Sequence, residues 1–216
     1  MDFLDRTRAG YDAAAAEFAA MFEHHLDDKP VERALLGAFA ELVRATGNPA
    51  IADVGCGTGV TTRILAELGV TPTGIDLSPN MIDEARARAP GIRFEVGSMT
   101  SLDLPDGTVG GVCAWYSVIH LPDAYLPQAF SEFHRVLVDD GVALVAFQVG
   151  DRPRRLTEAF GVALDLEFVR RTPDVVAAEL ESAGLPVYST TVREPDDHGV
   201  HATPQAFLVA RKRRAR

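Results

Sequence analysis

The stretch Ile51-Ala52-Asp53-Val54-Gly55-Cys56-Gly57-Thr58-Gly59 holds the residues of this chain best suited to chemistry. An apolar run ends in an acid, and glycines follow at alternate positions. Glycine carries no Cβ, so a backbone built this way turns sharply and lets a ligand approach. A helix from about Thr61 would add the free N–H groups of its first turn. Position 60 is Val60, so the G-x-G-x-x-G spacing of a dinucleotide loop is not met. No Lys-Ser/Thr pair follows, which removes a phosphate-gripping P-loop. Asp53 brings a carboxylate to the loop, and that suits an ammonium or sulfonium ligand better than a pyrophosphate. The ligand implied is cationic.

A second motif follows in register. Thr73-Gly74-Ile75-Asp76-Leu77-Ser78-Pro79-Asn80-Met81 reads as a strand end with an acid, then a helix start, and Asp76 lies 21 residues after Gly55. A Rossmann-type fold places its ribose-binding carboxylate at about that distance. Together the two motifs resemble those of the class I S-adenosylmethionine-dependent methyltransferases. The resemblance implies that Asp53 holds the methionyl amino group, directly or through water. It implies that Gly55, Cys56 and Gly57 lend backbone contacts to the methionine and ribose portions. Asp76 would take the ribose hydroxyls, and Leu77 and Met81 would flank the adenine. Ser98-Met99 stands where many members have an acid before a small or apolar residue, and Met99 would offer its N–H to the adenine. Tyr11 resembles an N-terminal tyrosine that folds over the cofactor in related small-molecule enzymes.

Cys113-Ala114-Trp115-Tyr116-Ser117-Val118-Ile119-His120-Leu121-Pro122 gathers the single tryptophan, a tyrosine, a serine and a histidine at the end of a strand. Ligands of open α/β sheets bind beyond that edge. Trp115 is expected to touch the cofactor, with Tyr116, Ser117 and His120 facing the acceptor. His120 is the candidate general base, because a neutral imidazole accepts a proton near neutral pH. Phe147-Gln148-Val149-Gly150-Asp151 would reach the same edge. The segment 152–171, with Leu156, Phe160, Leu164, Leu166 and Phe168, is expected to form a lid. Its cations Arg152, Arg154, Arg155, Arg170 and Arg171 are candidates for an acidic acceptor, against a plain solvated face. His24 and His25 read as residues on a helix surface or at its end. His198 and His201 beside Asp196 and Asp197 are no convincing metal site, since they fall in a polar loop.

Positioning these residues requires an α/β doubly wound sheet. Apolar runs predict seven strands near 50–54, 72–76, 92–97, 109–115, 141–148, 187–193 and 205–211. Helices are expected near 60–68, 79–88, 123–137 and 173–183. The polar link between the last two strands holds no helix, which makes them an antiparallel hairpin closing a mostly parallel sheet. Two helices, over 12–26 and from Pro30 to about 46, precede the first strand. The expected division is a helical cap at 1–49 and a binding domain at 50–216, with the insertion near 150–172.

The chain has 216 residues, 47% apolar and 24% charged, enough for one full core. A net charge of −10 argues against a nucleic-acid partner, which needs clustered Lys and Arg. Two cysteines without C-x-x-C spacing suggest a reducing compartment. No apolar stretch nears the roughly 18 residues that span a bilayer. A cytoplasmic methyltransferase acting on an O- or N-nucleophile of a small molecule, as monomer or homodimer, is the expectation. The alternatives are a non-catalytic S-adenosylmethionine or S-adenosylhomocysteine binder and, with Val60 against it, an NAD-dependent oxidoreductase.

Overall fold

A computed structural model describes residues 3–159, 162–195 and 203–214. In chain order the elements are α1 (Phe3–Phe22), α2 (Pro30–Ala45), β1 (Ala50–Val54), α3 (Val60–Glu67), β2 (Thr71–Asp76), α4 (Pro79–Arg88), β3 (Arg93–Val96) and β4 (Val109–Trp115). They continue with α5 (Leu126–Val136), β5 (Leu137–Gln148), β6 (Arg154–Ala159), β7 (Val162–Phe168), α6 (Pro173–Ser182), β8 (Val187–Arg193) and β9 (Gln205–Arg211). Single 3-10 turns lie at Val118–His120 and Asp123–Tyr125.

Seven strands pair in the order β3-β2-β1-β4-β5-β9-β8. The first five are parallel, while β9 runs antiparallel to both β5 and β8. Strands covered on both faces read as continuous apolar runs, and β4 and the second half of β5 do so. The chain order reverses at β1, whose neighbours are β2 and β4, and that switch opens a crevice at the carboxyl ends of the strands.

Helix faces complete the layers. In α5 the residues Leu126, Ala129, Phe130, Phe133 and Val136 recur at steps of three to four and are all buried. Truncating Phe130 or Phe133 to alanine would cost about 3–5 kcal/mol. On the other face, Leu36, Phe39 and Val43 of α2 pack in one cluster with Ile51, Val142 and Leu144 of β1 and β5. Of the segment 1–49, α2 therefore belongs to the sheet's own packing, while α1 lies against β7 and α4.

Three boundaries differ from those read in the sequence. Helix α1 begins at Phe3, nine residues before the expected start, because Leu4, Thr7, Arg8 and Tyr11 turn toward a cavity whose lining is partly polar. The expected helix at 123–137 starts later, after a separate 3-10 turn. The insertion, expected as a lid or binding element without strands, forms a two-stranded antiparallel sheet, β6 with β7. Phe160, Asp196, Asp197, His198 and His201 lie outside the described residues.

Candidate active site

The glycine loop leaves the end of β1 with its first two N–H groups, of Gly55 and Cys56, donating to the Ile75 carbonyl at 2.7 and 3.1 Å. Gly55, Gly57 and Gly59 have φ of +72°, +54° and +79°, a region that other residues avoid. Their roles differ. A Cβ on Gly59 would strike the Phe94 ring at 2.8 Å, so this glycine is needed for packing. Gly55 and Gly57 line a cavity of about 500 Å³, inside the range of small-molecule sites, roughly 300–1,000 Å³.

Asp76 ends β2 and braces the loop. Its Oδ2 accepts from the Gly57 N–H at 2.8 Å and its Oδ1 from the Ser78 N–H at 2.9 Å. Burial raises its pKa, and these N–H groups partly offset that. Ser78 then caps α4 by accepting from the Met81 N–H at 3.1 Å. Leu77, Met81, Ser98 and Met99 line the cavity beside Asp76. The Ser98 hydroxyl is engaged with the Thr100 hydroxyl at 2.8 Å, so it shapes the chain turn after β3.

Asp53 lies beneath the loop and is not among the cavity-lining residues. It is 1% exposed, and its Oδ2 accepts from the Thr62 hydroxyl at 2.6 Å. Its Oδ1 is buried without a partner. Burial pushes its pKa up to about 7. A carboxylate left in this state is stabilised by a cationic donor or a bridging water. Cys56 lines the cavity and Cys113 is buried behind it; burial pushes both thiols well up.

The loop after β4 supplies the opposite wall. Trp115, Tyr116, Ser117 and His120 all line the cavity. Tyr116 adopts a φ of +53°, which costs a non-glycine residue roughly 1–2 kcal/mol and marks a turn held by its surroundings. The Trp115 Nε1 and the Ser117 Oγ are buried and unpartnered, as is the Gln148 Oε1 from the end of β5. Of the segment 147–151, Gln148 faces the cavity, whereas Phe147 is fully packed in the core.

Helix α1 and the β6–β7 hairpin roof the cavity and meet at His120. The Tyr11 hydroxyl lies 2.7 Å from the His120 Nε2, and the His120 Nδ1 lies 3.0 Å from the Glu167 carbonyl oxygen. A carbonyl only accepts, so Nδ1 carries the proton and Nε2 accepts from Tyr11. Burial lowers the His120 pKa to about 4 and keeps the Tyr11 phenol protonated. His120 and Tyr11 thus line the cavity as a bonded pair, a linkage that sequence spacing does not reveal because the two are 109 residues apart.

Two residues support the site in ways that the sequence did not indicate. Asp12 fixes α1 by accepting from the Ser78 hydroxyl and the Asn80 N–H. Arg171, 4% exposed, donates to the carbonyls of Val118 and Leu121 and to Asp123, tying the hairpin's exit to the loop after β4. Arg171 and Arg155 are therefore occupied, the latter by Asp165 at 2.7 Å. The two histidines lie just past the end of α1, His24 exposed beside Asp27 and His25 half-buried against the cavity. Among the described residues no group of three metal-ligating side chains occurs, and no helix is long and apolar enough to cross a membrane.

This sheet order, the glycine crook at its switch point and the acid ending β2 define a class I S-adenosylmethionine-dependent methyltransferase fold. Residues 51–141 match the family described as a methyltransferase domain, in keeping with this fold. The cofactor of such a domain is S-adenosylmethionine, and the structure accepts it. An unpaired buried carboxylate oxygen at Asp53 suits its cationic end, and at Gly57, where a Cβ would meet only the Phe18 ring at 3.9 Å, the loop leaves room for its body.

A demethylmenaquinone methyltransferase of Chlorobaculum parvum is 36% identical over 104 residues, covering 48% of this chain and 42% of that protein. A malonyl-[acyl-carrier protein] O-methyltransferase of Serratia marcescens is 30% identical over 159 residues, covering 73% of this chain and 55% of that protein. The chain thus spans about half the length of these curated relatives. The magnesium protoporphyrin IX methyltransferase of Synechocystis, solved with bound S-adenosylmethionine, superposes with a TM-score of 0.72 at 16% identity, covering 98% of each chain.

Proposed function

We propose that this chain transfers the methyl group of S-adenosylmethionine to an oxygen or nitrogen nucleophile of a small molecule enclosed in the cavity. The observation that carries this reading is the cavity's continuity. The glycine loop, Asp76 and the Tyr11–His120 pair all line this one cavity, under α1 and the hairpin. When bound in this cradle, S-adenosylmethionine supplies an already activated methyl electrophile. The protein's main task is then alignment, and holding two reactants in line is worth roughly 7–11 kcal/mol.

The chain's own residues divide that task. Asp53 with Gly55, Cys56 and Gly57 serves the methionine portion, and Asp76 serves the ribose. Leu77, Met81, Ser98 and Met99 serve the adenine, and Trp115 borders the transfer region. Tyr116 and His120 serve the acceptor. A hydroxyl or protonated amine must lose a proton, and the geometry supports passage through Tyr11. The phenol oxygen takes the acceptor's proton as its own moves to the His120 Nε2. The Glu167 carbonyl holds the imidazole in the tautomer this requires.

In this reading α1 and the β6–β7 hairpin act as a cover over one binding domain. A net charge of −10 favours a small-molecule acceptor over nucleic acid. The free buried thiols favour a reducing cytoplasm, with the chain working as a monomer or homodimer. Thermal shift with S-adenosylhomocysteine and with NAD tests the cradle. Release of S-adenosylhomocysteine with a panel of hydroxyl, carboxyl and amine acceptors tests the transfer. Stabilisation by the sulfur nucleoside alone, with acceptor-dependent release, is expected. Stabilisation by NAD, or binding with no release from any acceptor class, overturns the reading.

A further inference from the structure

Strand alternation gives the β6–β7 hairpin two chemically different faces. Arg154 pairs with Phe168 and Leu156 with Leu166, and all four line the cavity. Arg155, Asp165 and Glu167 face a separate polar cavity, where Arg155 and Asp165 pair with each other. Across the main cavity α1 presents Leu4, Arg8 and Tyr11 on one helical stripe. Arg8 precedes Tyr11 by three residues, which is about 4.5 Å of helix rise.

Arg8 and Arg154 are exposed, line the cavity and have no hydrogen-bond or ion-pair partner among the described residues. Acids outnumber Lys and Arg 31 to 21, and many cations elsewhere are matched, such as Arg63 with Glu23, Arg135 with Glu132 and Arg171 with Asp123. Arg152, Arg170 and Arg213 are also unmatched among the described residues, but Arg8 and Arg154 are the ones that line the cavity. Asp76 is the one carboxylate among the described residues lining the cavity, and backbone N–H groups engage it at the cofactor end. The covered end thus combines an apolar body with two unmatched guanidinium groups at its rim.

We propose that the methyl acceptor is an amphipath bearing an oxyanion, either a carboxylate or a phosphate or sulfate ester. Arg8 and Arg154 hold that group at the rim. Its apolar body lies along Leu156, Leu166 and Phe168, directing the nucleophile to Tyr11. The inference rests on the proposed methyl transfer for the identity of the ligand, though the cation pair reads out by binding alone. Guanidinium groups meet such oxyanions with paired hydrogen bonds.

The test uses the full chain saturated with S-adenosylhomocysteine, with decanoate, decyl sulfate, decanol and decyltrimethylammonium as probes below their micelle concentrations. Trp115, the single tryptophan, lines the cavity and reports binding by its fluorescence. Decanoate and decyl sulfate are expected to bind about tenfold more tightly than decanol, with the cation weakest, the scale of two partly exposed ion pairs. The double variant R8Q/R154Q should lose that preference while keeping its affinity for decanol. Arg155→Gln, on the opposite face, should keep it. Equal affinities for all four probes, no binding of any, or an anion preference that survives R8Q/R154Q overturns the proposal. A chain that is not stabilised by S-adenosylhomocysteine, yet shows the preference, refutes the cofactor reading and leaves the cation site standing.

Discussion

Gly55 and Ser117 stand so close that a Cβ built on Gly55 would lie 2.2 Å from the Ser117 Cβ. The contact locks the glycine loop after β1 against the loop after β4, so the two walls of the site share one register. Gly55→Ala adds a methyl group into packed atoms at a φ of +72°. It is expected to destabilise the fold by about 2 kcal/mol or more, read by urea unfolding. Adding Ser117→Gly to that variant should recover part of the loss. If the double variant is no more stable than Gly55→Ala alone, the contact is not the cause.

Asp76→Ala removes the carboxylate that accepts from Gly57 and Ser78 and would also hold the ribose. Affinity for S-adenosylhomocysteine should fall by roughly 1.5–3 kcal/mol, the worth of hydrogen bonds to a charged group. Isothermal calorimetry on the folded variant measures this. An unchanged Kd removes Asp76 from the cofactor site.

Asp53 is held near the middle of its titration by burial, with its pKa at about 7 against 3.8 in an unfolded chain. The folded state binds the extra proton, so the penalty of ionising Asp53 is absent at acid pH and grows as pH rises from about 4 to 7. Asp53→Asn should therefore raise Tm at pH 8 by a few degrees, an effect of about 1–2 kcal/mol. It should lose cofactor affinity at the same time. A Tm that drops at pH 8 would show that the ionised carboxylate is already satisfied.

His120→Ala should lower turnover by roughly 10²–10⁴-fold and leave cofactor affinity nearly unchanged if the acceptor must lose a proton. Tyr11→Phe should act in the same direction, since it removes the hydroxyl that bonds the imidazole. Burial lowers the His120 pKa to about 4, so the acid limb of activity should lie well below the 6.5 of a free histidine. The same depression means the unfolded chain takes up its proton first. The stability conferred by neutral His120 is present above about pH 6.5 and lost between there and pH 4, seen in Tm against pH. A carboxylate acceptor needs no base, and there His120→Ala would raise KM with kcat retained.

The centre of the sheet was readable because its strands are buried on both faces, so that runs such as Val109–Trp115 announce themselves without context. The C-terminal pair β8 and β9 was readable from what lies between them, a polar link too short for a crossover helix. The glycine loop and Asp76 were readable for a different reason: their chemistry depends on local spacing. What escaped depends on distance in sequence. The Tyr11–His120 bond, the Asp12 brace and the Arg171 tie each join segments that no periodicity connects. The start of α1 escaped because its inner stripe faces a cavity, where Thr7 and Arg8 are as suitable as Leu4. The β6–β7 hairpin escaped because Arg154, Arg155, Glu158, Asp165 and Glu167 break the apolar pattern that marks a strand.

The position of β9 between β5 and β8 has a consequence for synthesis. During translation the five parallel strands can assemble while β5 still shows an open edge, along the apolar run Val142–Phe147 that β9 later covers. Meanwhile β8 has already emerged, with no neighbour until β9 arrives. An open apolar edge is the feature most prone to pair with another chain. Nascent chains arrested before Gln205 are expected to be protease-sensitive and to self-associate, whereas chains extended past Arg211 should resist digestion. Of the strands in this sheet β9 is made last, and it would thus set how long the β5 edge stays open.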